Sequence, residues 1–287
     1  MKKYVIFTDS CCDLSKEMYE ELGVRVLQLD VVLEGEAPTP NDQLDIKEVY
    51  GKLRAKKSAS TSAINMERFY KTFEDALQEG LDVLYLGFSS GLSATYQASR
   101  IAVEELREKY PHRTLYAVDT LCASMGQGLL VYLAANMQKK GADIEAVKDY
   151  VENNKLHLCH WFTVDDLFFL KRGGRVSAAT AVVGTLLSIK PVLHVDNAGK
   201  LINVAKARGR KASIDMMFEK MKATAIAGKN DVVFISHGDC IEDAEYLADR
   251  VRNELGIKEV VIHYIGPVIG SHSGPGTLAL FFLGTER

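Results

Sequence analysis

Apolar runs of strand length alternate along this chain with stretches whose apolar residues recur at helical spacing. The runs Tyr4–Thr8, Asp82–Leu86 and Thr114–Val118 are β-rich, and helical patterns separate them. Such alternation is typical of βαβ units, whose strands lie parallel and whose helices cover the sheet. The sequence therefore predicts an α/β fold with a largely parallel sheet in its first half.

Further elements follow the same alternation. In the first half we predict a strand over 25–33 and helices over 45–57, 66–78, 93–109, 125–139 and 143–154. In the second half we predict strands over 188–195, 201–206, 232–236, 258–265 and 277–283, and helices over 211–225 and 241–254. The 287 residues exceed the roughly 100 to 200 of a typical domain, so we expect two lobes, residues 1–157 and 158–287.

Composition favours an ordinary globular protein. The chain is 47% hydrophobic and 25% charged with a net charge of −3, which gives no global sign of nucleic-acid binding. The first residues are too polar for a signal peptide, and no apolar run approaches the roughly 20 residues that span a bilayer. The five cysteines are odd in number and lack zinc or C-x-x-C spacing. We therefore expect a reduced cytoplasmic protein without a bound metal or cofactor.

Hydroxyl side chains cluster where predicted strands end. They lie at Thr8–Ser10, Ser89–Ser93 and Asp119–Thr120, and a further cluster spans Ser58–Ser62. Ligands of parallel sheets bind beyond the carboxyl ends of the strands, where hydroxyls and helix N-termini suit an anion. Any one such residue is more often an N-cap, worth about 1 kcal/mol. Several at one sheet edge predict a carboxylate or phosphate site.

A glycine-rich segment, Ile265–Gly276, places His272 between two serines. Glycine has no Cβ, so a ligand can reach main-chain N–H groups there. The segment lies between two apolar runs, so it is either a polar site framed by buried elements or a set of tight turns built by glycine and proline.

The segment Gly87–Gly91 fits the pattern G-x-S-x-G between a strand and a helix, as in the nucleophile elbow of serine hydrolases. Ser89 would then act with Asp239 and with His263 or His272, which follow it in the order that these enzymes use. The pattern fixes only three positions, so a hydrolase stays an alternative.

A basic segment runs from Lys171 to Lys211. It holds nine basic residues and a single acid, a net charge of +8. Such a block suits an anionic ligand, an acidic partner or simply a solvated face. Within it, Arg172 and Arg175 flank two glycines, and guanidinium groups bind carboxylate or phosphate through paired hydrogen bonds.

Five motifs, in order along the whole chain, resemble those of the DegV family of bacterial fatty-acid-binding proteins. They are Thr8–Leu14, Ser89–Tyr96, Leu170–Ser177, Ile189–Pro191 and Ile265–Gly276. Three residues depart from the family pattern: Ala63 and Ile64 replace a Gln-Pro pair, and Ala94 replaces a glycine.

The resemblance implies a two-lobe DegV-like fold, with a mixed sheet in the second lobe and a ligand tunnel between the lobes. The carboxylate of a long-chain fatty acid would bind a hydroxyl pair that maps onto Thr61 and Ser93. The implied ligand-binding set is Thr61, Ser62, Ser93, Gly270, His272 and Ser273, with Arg172, Arg175 and Arg208 near the head group or a docked partner. Apolar candidates for the tunnel wall are Phe69, Phe73, Leu92, Tyr96, Leu129, Leu167, Phe168, Ile269 and Phe281.

The function implied by the resemblance is that of a non-catalytic carrier. It would present the fatty acid to a separate ATP-dependent fatty acid kinase, and the acyl-phosphate formed would enter phospholipid synthesis. The alternatives are an esterase or thioesterase that uses Ser89, and a sensor that binds a lipid-like anion and docks to a regulator.

Overall fold

The computed structural model describes residues 3–177 and 189–287. The strands are β1 Tyr4–Asp9, β2 Arg25–Leu27, β3 Asp30–Leu33, β4 Thr39–Pro40, β5 Ala59–Ser62, β6 Asp82–Gly87, β7 Leu115–Asp119, β8 Leu158–Thr163, β9 Ile189–Val195, β10 Leu201–Arg208, β11 Val232–His237, β12 Glu259–Tyr264 and β13 Leu278–Leu283. The helices are α1 Lys16–Leu22, α2 Ile46–Arg54, α3 Met66–Gln78, α4 Thr95–Lys109, α5 Met125–Lys139, α6 Ile144–Asn154, α7 Leu167–Arg172, α8 Arg210–Thr224, α9 Ile241–Leu255 and α10 Pro267–Ser273. None of these helices has both the length and the apolar character needed to cross a membrane. The predicted strand over 188–195 begins at Ser188, which lies outside the described residues.

A four-stranded parallel sheet forms the first half, in the order β2-β1-β6-β7. Its strand β6 is buried along its whole length, which explains the unbroken apolar run that predicted it. Asn65 and Asp143 are the N-caps of helices α3 and α6, and their side chains accept hydrogen bonds from main-chain N–H groups of the first helical turn. The predicted α/β class and its parallel sheet are confirmed.

The single strand predicted over 25–33 is wrong, because the chain changes sheets in that stretch. Strand β2 pairs with β1, whereas β3 pairs antiparallel with β4 and β5 in a separate three-stranded sheet. Between them, the Leu29 N–H donates to the hydroxyl of Ser10 at 2.9 Å. This hydrogen bond holds the crossing chain beside the end of β1, and an apolar run alone cannot reveal it.

The second half is built on a mixed six-stranded sheet in the order β10-β9-β8-β13-β11-β12. Only β11 and β12 are parallel, so the mixed sheet implied by the resemblance is confirmed. The sequence did not reveal β8, although it lies near the centre of this sheet. All six of its residues are buried, and a strand covered on both faces shows no apolar alternation.

Helix α5 lies between the two larger sheets. Two glycines on it allow close packing: a Cβ at Gly126 would overlap the ring of His160, and one at Gly128 would lie 2.6 Å from the carbonyl oxygen of Cys12. Side chains from both sheets and from α5 form one continuous apolar core. The glycines of this helix therefore serve packing, as the helical pattern around them indicates.

Helix α10 lies within the glycine-rich segment and packs against the first half of the chain. The hydroxyl of Tyr50 donates to the carbonyl oxygen of Ile265 at 2.9 Å, and the Val268 N–H donates to Asn41 Oδ1 at 3.0 Å. The strands before Leu158 form the two smaller sheets and those after it form the larger one. The predicted lobe boundary between residues 157 and 158 stays a prediction, because α10 follows it in sequence but packs against residues that precede it.

Candidate functional site

A cavity of about 290 Å³ lies between the parallel sheet and the six-stranded sheet. The loop after β6 contributes Phe88 and Leu92 to its wall, and the loop after β7 contributes Ala123. From the opposite side, β8 and β13 contribute Phe162 and Phe281. The cavity thus lies where parallel sheets place their ligands, beyond the carboxyl ends of the strands.

Polar side chains gather in one part of this mainly apolar wall. Thr61 on β5, Ser93 before α4, Arg175 after α7, and His272 and Ser273 on α10 all line the cavity. The structure therefore brings together five of the nine side chains that the sequence singled out. They come from four separate parts of the chain, so only the folded lobes assemble them.

His272 contacts Thr61 directly, with 2.8 Å between Nε2 and Oγ1. Burial, with a smaller contribution from the charges of Arg175 and Arg172, lowers the pKa of this imidazole to about 4. The ring is therefore neutral at pH 7. Its Nδ1 is buried without a hydrogen-bond partner in the described part of the chain. A Cβ at Gly173 would overlap this nitrogen, so glycine is the residue that fits here.

Ser93 and Ser273 differ in how many hydrogen bonds their hydroxyls already make within the described chain. Ser93 Oγ lies 2.9 Å from Thr95 Oγ1 and accepts from the Thr95 N–H at 3.2 Å, so it also caps the start of α4. Ser273 Oγ is buried and has no partner within residues 3–177 and 189–287. A buried hydroxyl without a partner carries a desolvation cost that a polar ligand atom would relieve.

Arg175 is a half-buried cation on the cavity wall. Its Nε donates to the carbonyl oxygen of Leu92 at 3.2 Å, and another guanidinium nitrogen donates to that of Gly173. No ion pair joins it to a carboxylate in the described ranges. Burial lowers the pKa of this guanidinium. Because the described partners of Arg175 are neutral carbonyl groups, its charge is available to an anion.

Over residues 3–285 the chain matches the model of a family described as uncharacterised proteins of the DegV family. The chain belongs to the DegV family. A DegV domain-containing protein from Clostridium perfringens is 50% identical, with 100% of this chain and 99% of that protein covered. A fatty-acid-binding DegV family protein from Thermus thermophilus has a similar solved structure, with a TM-score of 0.88, 31% identity, and 98% and 99% of the two chains covered. DegV of Bacillus subtilis, described as a fatty acid binding protein, gives a TM-score of 0.85 with 27% identity over 99% and 100% of the chains.

Two members of the predicted ligand-binding set do not line the cavity of this DegV-family chain. Ser62 is exposed, because successive residues of a strand point to opposite faces and its neighbour Thr61 faces the cavity. Gly270 is buried on the far side of α10, where an added Cβ would lie 2.7 Å from the hydroxyl of Tyr50. Gly270 therefore serves the packing of α10.

Two of the predicted arginines also lie outside the cavity. Arg172 lies over the rings of Phe168 and Phe169, with its guanidinium 5.8 and 5.1 Å from their centroids. It lines an outer groove that also includes Arg54. Arg208 is exposed at the end of β10, the edge strand of the larger sheet. Both remain candidates for contact with a partner.

The predicted apolar wall is correct only in part. Leu92, Ile269 and Phe281 line the cavity. The others do not line it. Four belong to the core: Phe69, Phe73, Leu129 and Leu167. Tyr96 is half-buried in the first turn of α4, and Phe168 is 56% exposed. Apolar spacing identifies buried faces but does not tell a cavity wall from solid core.

The sequence did not identify three polar residues of the wall, Ser124, His160 and Thr277. The hydroxyl of Thr277 donates to the carbonyl oxygens of Ser273 and Gly274, both at 2.9 Å. Ser124 donates to Asp13 Oδ2 at 2.5 Å. His160 Nδ1 lies 3.0 Å from the carbonyl oxygen of Leu158, and its Nε2 accepts from the Ala123 N–H at 3.2 Å. These polar atoms are already partnered, so they add little polarity to the cavity. Ser124 follows the end of β7 and could have been found by the sheet-edge argument.

The structure does not bring together the three side chains of the hydrolase hypothesis. Ser89 Oγ is buried and donates to the carbonyl oxygen of Gly199 at 2.8 Å. Asp239 pairs with Arg54 at 2.8 Å, and His272 is bound to Thr61. A nucleophile needs a base within hydrogen-bond reach, and Ser89 has none among the described residues.

Proposed function

We propose that this DegV-family protein binds a long-chain fatty acid, with the carboxylate at Arg175 and the hydrocarbon chain in the cavity. The observation that carries the proposal is the half-buried guanidinium of Arg175, which has no carboxylate partner among residues 3–177 and 189–287, next to a mainly apolar cavity. The relatives from Thermus thermophilus and Bacillus subtilis, which are described as binding fatty acids, support it.

The cavity suits a hydrocarbon chain. Away from Arg175 its wall is largely aliphatic and aromatic, and its polar atoms at Ser124 and His160 already have partners. Burying each methylene contributes about 0.8 kcal/mol, so the chain supplies most of the affinity. The volume of about 290 Å³ lies just below the roughly 300 to 1,000 Å³ that is usual for ligand pockets, which favours a single acyl chain over a diacyl lipid.

The carboxylate would be bound by one charge and by hydroxyl donors. Arg175 offers a charge-assisted hydrogen bond, and Ser273 offers a hydroxyl that lacks a partner in the described chain. If the neutral ring of His272 donates from Nε2 to Thr61 Oγ1, the hydroxyl proton of Thr61 is free to donate to the ligand. Ser93, whose side chain also lines the cavity, completes this set of donors.

The protein would act as a carrier whose bound acid is processed elsewhere. We propose that a separate ATP-dependent fatty acid kinase converts the acid to an acyl-phosphate for phospholipid synthesis, and that this occurs in the cytoplasm. The hydroxyl of Ser89 already donates to the carbonyl oxygen of Gly199, which argues against nucleophilic catalysis by this residue. Arg208 is exposed and Arg172 lines an outer groove, which supports a role for these two arginines in docking the kinase.

The decisive experiment is mass spectrometry of the bound lipid. Purified protein is extracted with organic solvent, and delipidated protein is then titrated with fatty acids of several chain lengths under native conditions. We expect a long-chain acid in the extract and rebinding in the titration. Arg175→Met should weaken rebinding by roughly 10- to 100-fold, whereas Arg208→Met should not. If delipidated wild-type protein binds no fatty acid, the proposed function is wrong.

A further inference from the structure

The segment Gly87–Gly91, which resembles a nucleophile elbow, forms a contact between the two lobes. The hydroxyl of Ser89 donates to the carbonyl oxygen of Gly199 at 2.8 Å. Gly199 lies in the turn between β9 and β10, so this hydrogen bond joins a loop of the parallel sheet to a hairpin of the six-stranded sheet.

Two glycines make this contact possible. A Cβ at Gly91 would lie 2.6 Å from the carbonyl oxygen of Ala198. A Cβ at Gly199 would overlap Ser89 Oγ, and Gly199 also has a φ of +71°, which favours glycine. The loop and the hairpin turn therefore meet backbone to backbone, with no room for a side chain at either glycine.

Ser89 also builds the turn that carries the cavity residue Ser93. The N–H groups of Leu92 and Ser93 both donate to the carbonyl oxygen of Ser89 at 3.1 Å. The Gly91 N–H donates to Ser89 Oγ at 3.1 Å. The carbonyl group and the hydroxyl of Ser89 together hold the turn, and the hydroxyl also joins it to the β9–β10 hairpin.

The hairpin is itself part of the cavity. Val195 and Leu201, which flank its turn, line the wall. The turn is held by Asp196, whose side chain accepts from the Lys200 N–H at 2.9 Å. Arg287 supports it by donating to the carbonyl oxygen of Asp196 at 3.2 Å. Any movement of this hairpin therefore changes the cavity and the support of Ser89 together.

We propose that Ser89 is a positioning residue: it couples the β9–β10 hairpin to Ser93, so that docking of the hairpin places the Ser93 hydroxyl for the ligand carboxylate. This inference rests on the proposed function and adds to it. The hydrogen bond from Ser89 to Gly199 carries the coupling, and of the two serines only Ser93 contacts the ligand.

The test compares two glycine variants that differ in their surroundings. Gly199→Ala places a methyl group against Ser89 Oγ, whereas Gly228→Ala has a similar φ of +70° and nothing within 4 Å. Both carry similar backbone strain, so their difference reports the contacts of the added Cβ, which are chiefly with Ser89 Oγ and more weakly with Leu121. Ser89→Ala is the milder third variant, since it removes the hydrogen bond without adding bulk.

Each variant is titrated with a fatty acid and with the fatty alcohol of the same length. We expect Gly199→Ala and Ser89→Ala to lower the preference for the acid by about tenfold, because a displaced Ser93 affects only the head group. Gly228→Ala should keep the wild-type preference. In a Ser93→Ala background, Ser89→Ala should change the preference no further. Equal weakening for acid and alcohol, or full additivity with Ser93→Ala, would overturn the inference.

Hydrogen exchange of the ligand-free proteins gives a second readout that does not depend on binding. Gly199→Ala should speed the exchange of the Leu92 and Ser93 amides, and Gly228→Ala should not. Unchanged exchange would show that the hairpin does not support this turn. A wild-type protein that binds neither acid nor alcohol contradicts the proposed function, and the exchange result then decides the coupling separately.

Discussion

The hydroxyl of Ser124 donates to a carboxyl oxygen of Asp13 at 2.5 Å, and both residues have left-handed backbone, with φ of 51° and 52°. Ser236 of the six-stranded sheet approaches the same hydroxyl at 2.9 Å. Burial raises the pKa of Asp13 to about 8, with a smaller contribution from the charge of Asp9. Ser124 thus links a strand of the six-stranded sheet to the carboxyl group of Asp13, which is mostly protonated at pH 7.

Replacing Asp13 with asparagine should flatten the pH dependence of stability. The pKa of the folded state, about 8, exceeds the ordinary value of 3.8, so folded protein keeps a proton that unfolded protein loses between these values. The stabilisation is complete below about pH 4, falls by up to about 1.4 kcal/mol per pH unit, and is lost as pH rises through 8. Denaturant unfolding between about pH 5 and pH 8 measures it.

The control for this experiment is Asp42→Asn, at an exposed position of a short 3₁₀ turn. It should keep the wild-type slope. If Asp13→Asn also keeps that slope, Asp13 is not protonated in the folded protein, and the account of this contact is wrong.

Thr61→Val should weaken fatty acid retention while the fold stays intact. Valine keeps the shape of threonine but lacks the hydroxyl that contacts His272 at 2.8 Å. Losing a hydrogen bond to a charged ligand costs about 1.5 to 3 kcal/mol. Native mass spectrometry of delipidated protein gives the affinity. Thr39→Val, in the outer β4 strand, should bind as wild type. Equal affinity of Thr61→Val and wild type would remove Thr61 from the proposed site.

The sequence predicted the polar side of the site better than its walls. Ser93 and His272 stand in motifs that keep their order along the chain, and Thr61 lies just before the departures at Ala63 and Ile64, so the resemblance alone assigned all three. Ser62 does not line the cavity: it lies next to Thr61 in the strand Ala59–Ser62, which was not predicted from the sequence, and neighbouring residues of a strand point to opposite faces. The position of His160 depends on how two sheets pack against α5, and no local pattern encodes such long-range contacts.

Gly126→Ala and Gly51→Ala should change stability in opposite directions. Both glycines lie inside helices, but a Cβ at Gly126 would overlap the ring of His160, whereas Gly51 has nothing within 4 Å. Alanine at Gly51 should add about 0.5 to 1 kcal/mol, because glycine is the poorer helix former. Alanine at Gly126 should cost about 1 to 3 kcal/mol through overpacking. Chemical denaturation measures both, and stabilisation by Gly126→Ala would contradict the close packing of α5.

Fluorophosphonate probes should leave Ser89 unmodified. The Ser89 hydroxyl is buried and its proton is donated to Gly199, so no described base can activate it. Peptide mapping by mass spectrometry after labelling reads this directly, and a known serine hydrolase in the same reaction shows that the probe is active. Labelling at Ser89, or ester turnover that disappears in Ser89→Ala, would restore the hydrolase hypothesis.

Arg208→Glu should separate binding of the acid from its transfer. Arg208 is exposed on the edge strand β10 and does not line the cavity, unlike Arg175. A charge on the rim of an interface mainly changes encounter rate and salt dependence, whereas a buried one changes affinity. The variant should therefore hold fatty acid within a few-fold of wild type.

In a reaction reconstituted with the cognate kinase and ATP, Arg208→Glu should form acyl-phosphate more slowly than wild type. Rising salt should slow wild type towards the variant, since exposed charges are screened beyond about 10 Å at 0.1 M ionic strength. Arg252→Glu, on α9, is the matched control and should transfer normally. The docking role is contradicted if Arg208→Glu loses its fatty acid while it still associates with the kinase. Arg208 would then bind the ligand itself, because a residue that only docks the kinase does not affect how tightly the cavity holds the fatty acid.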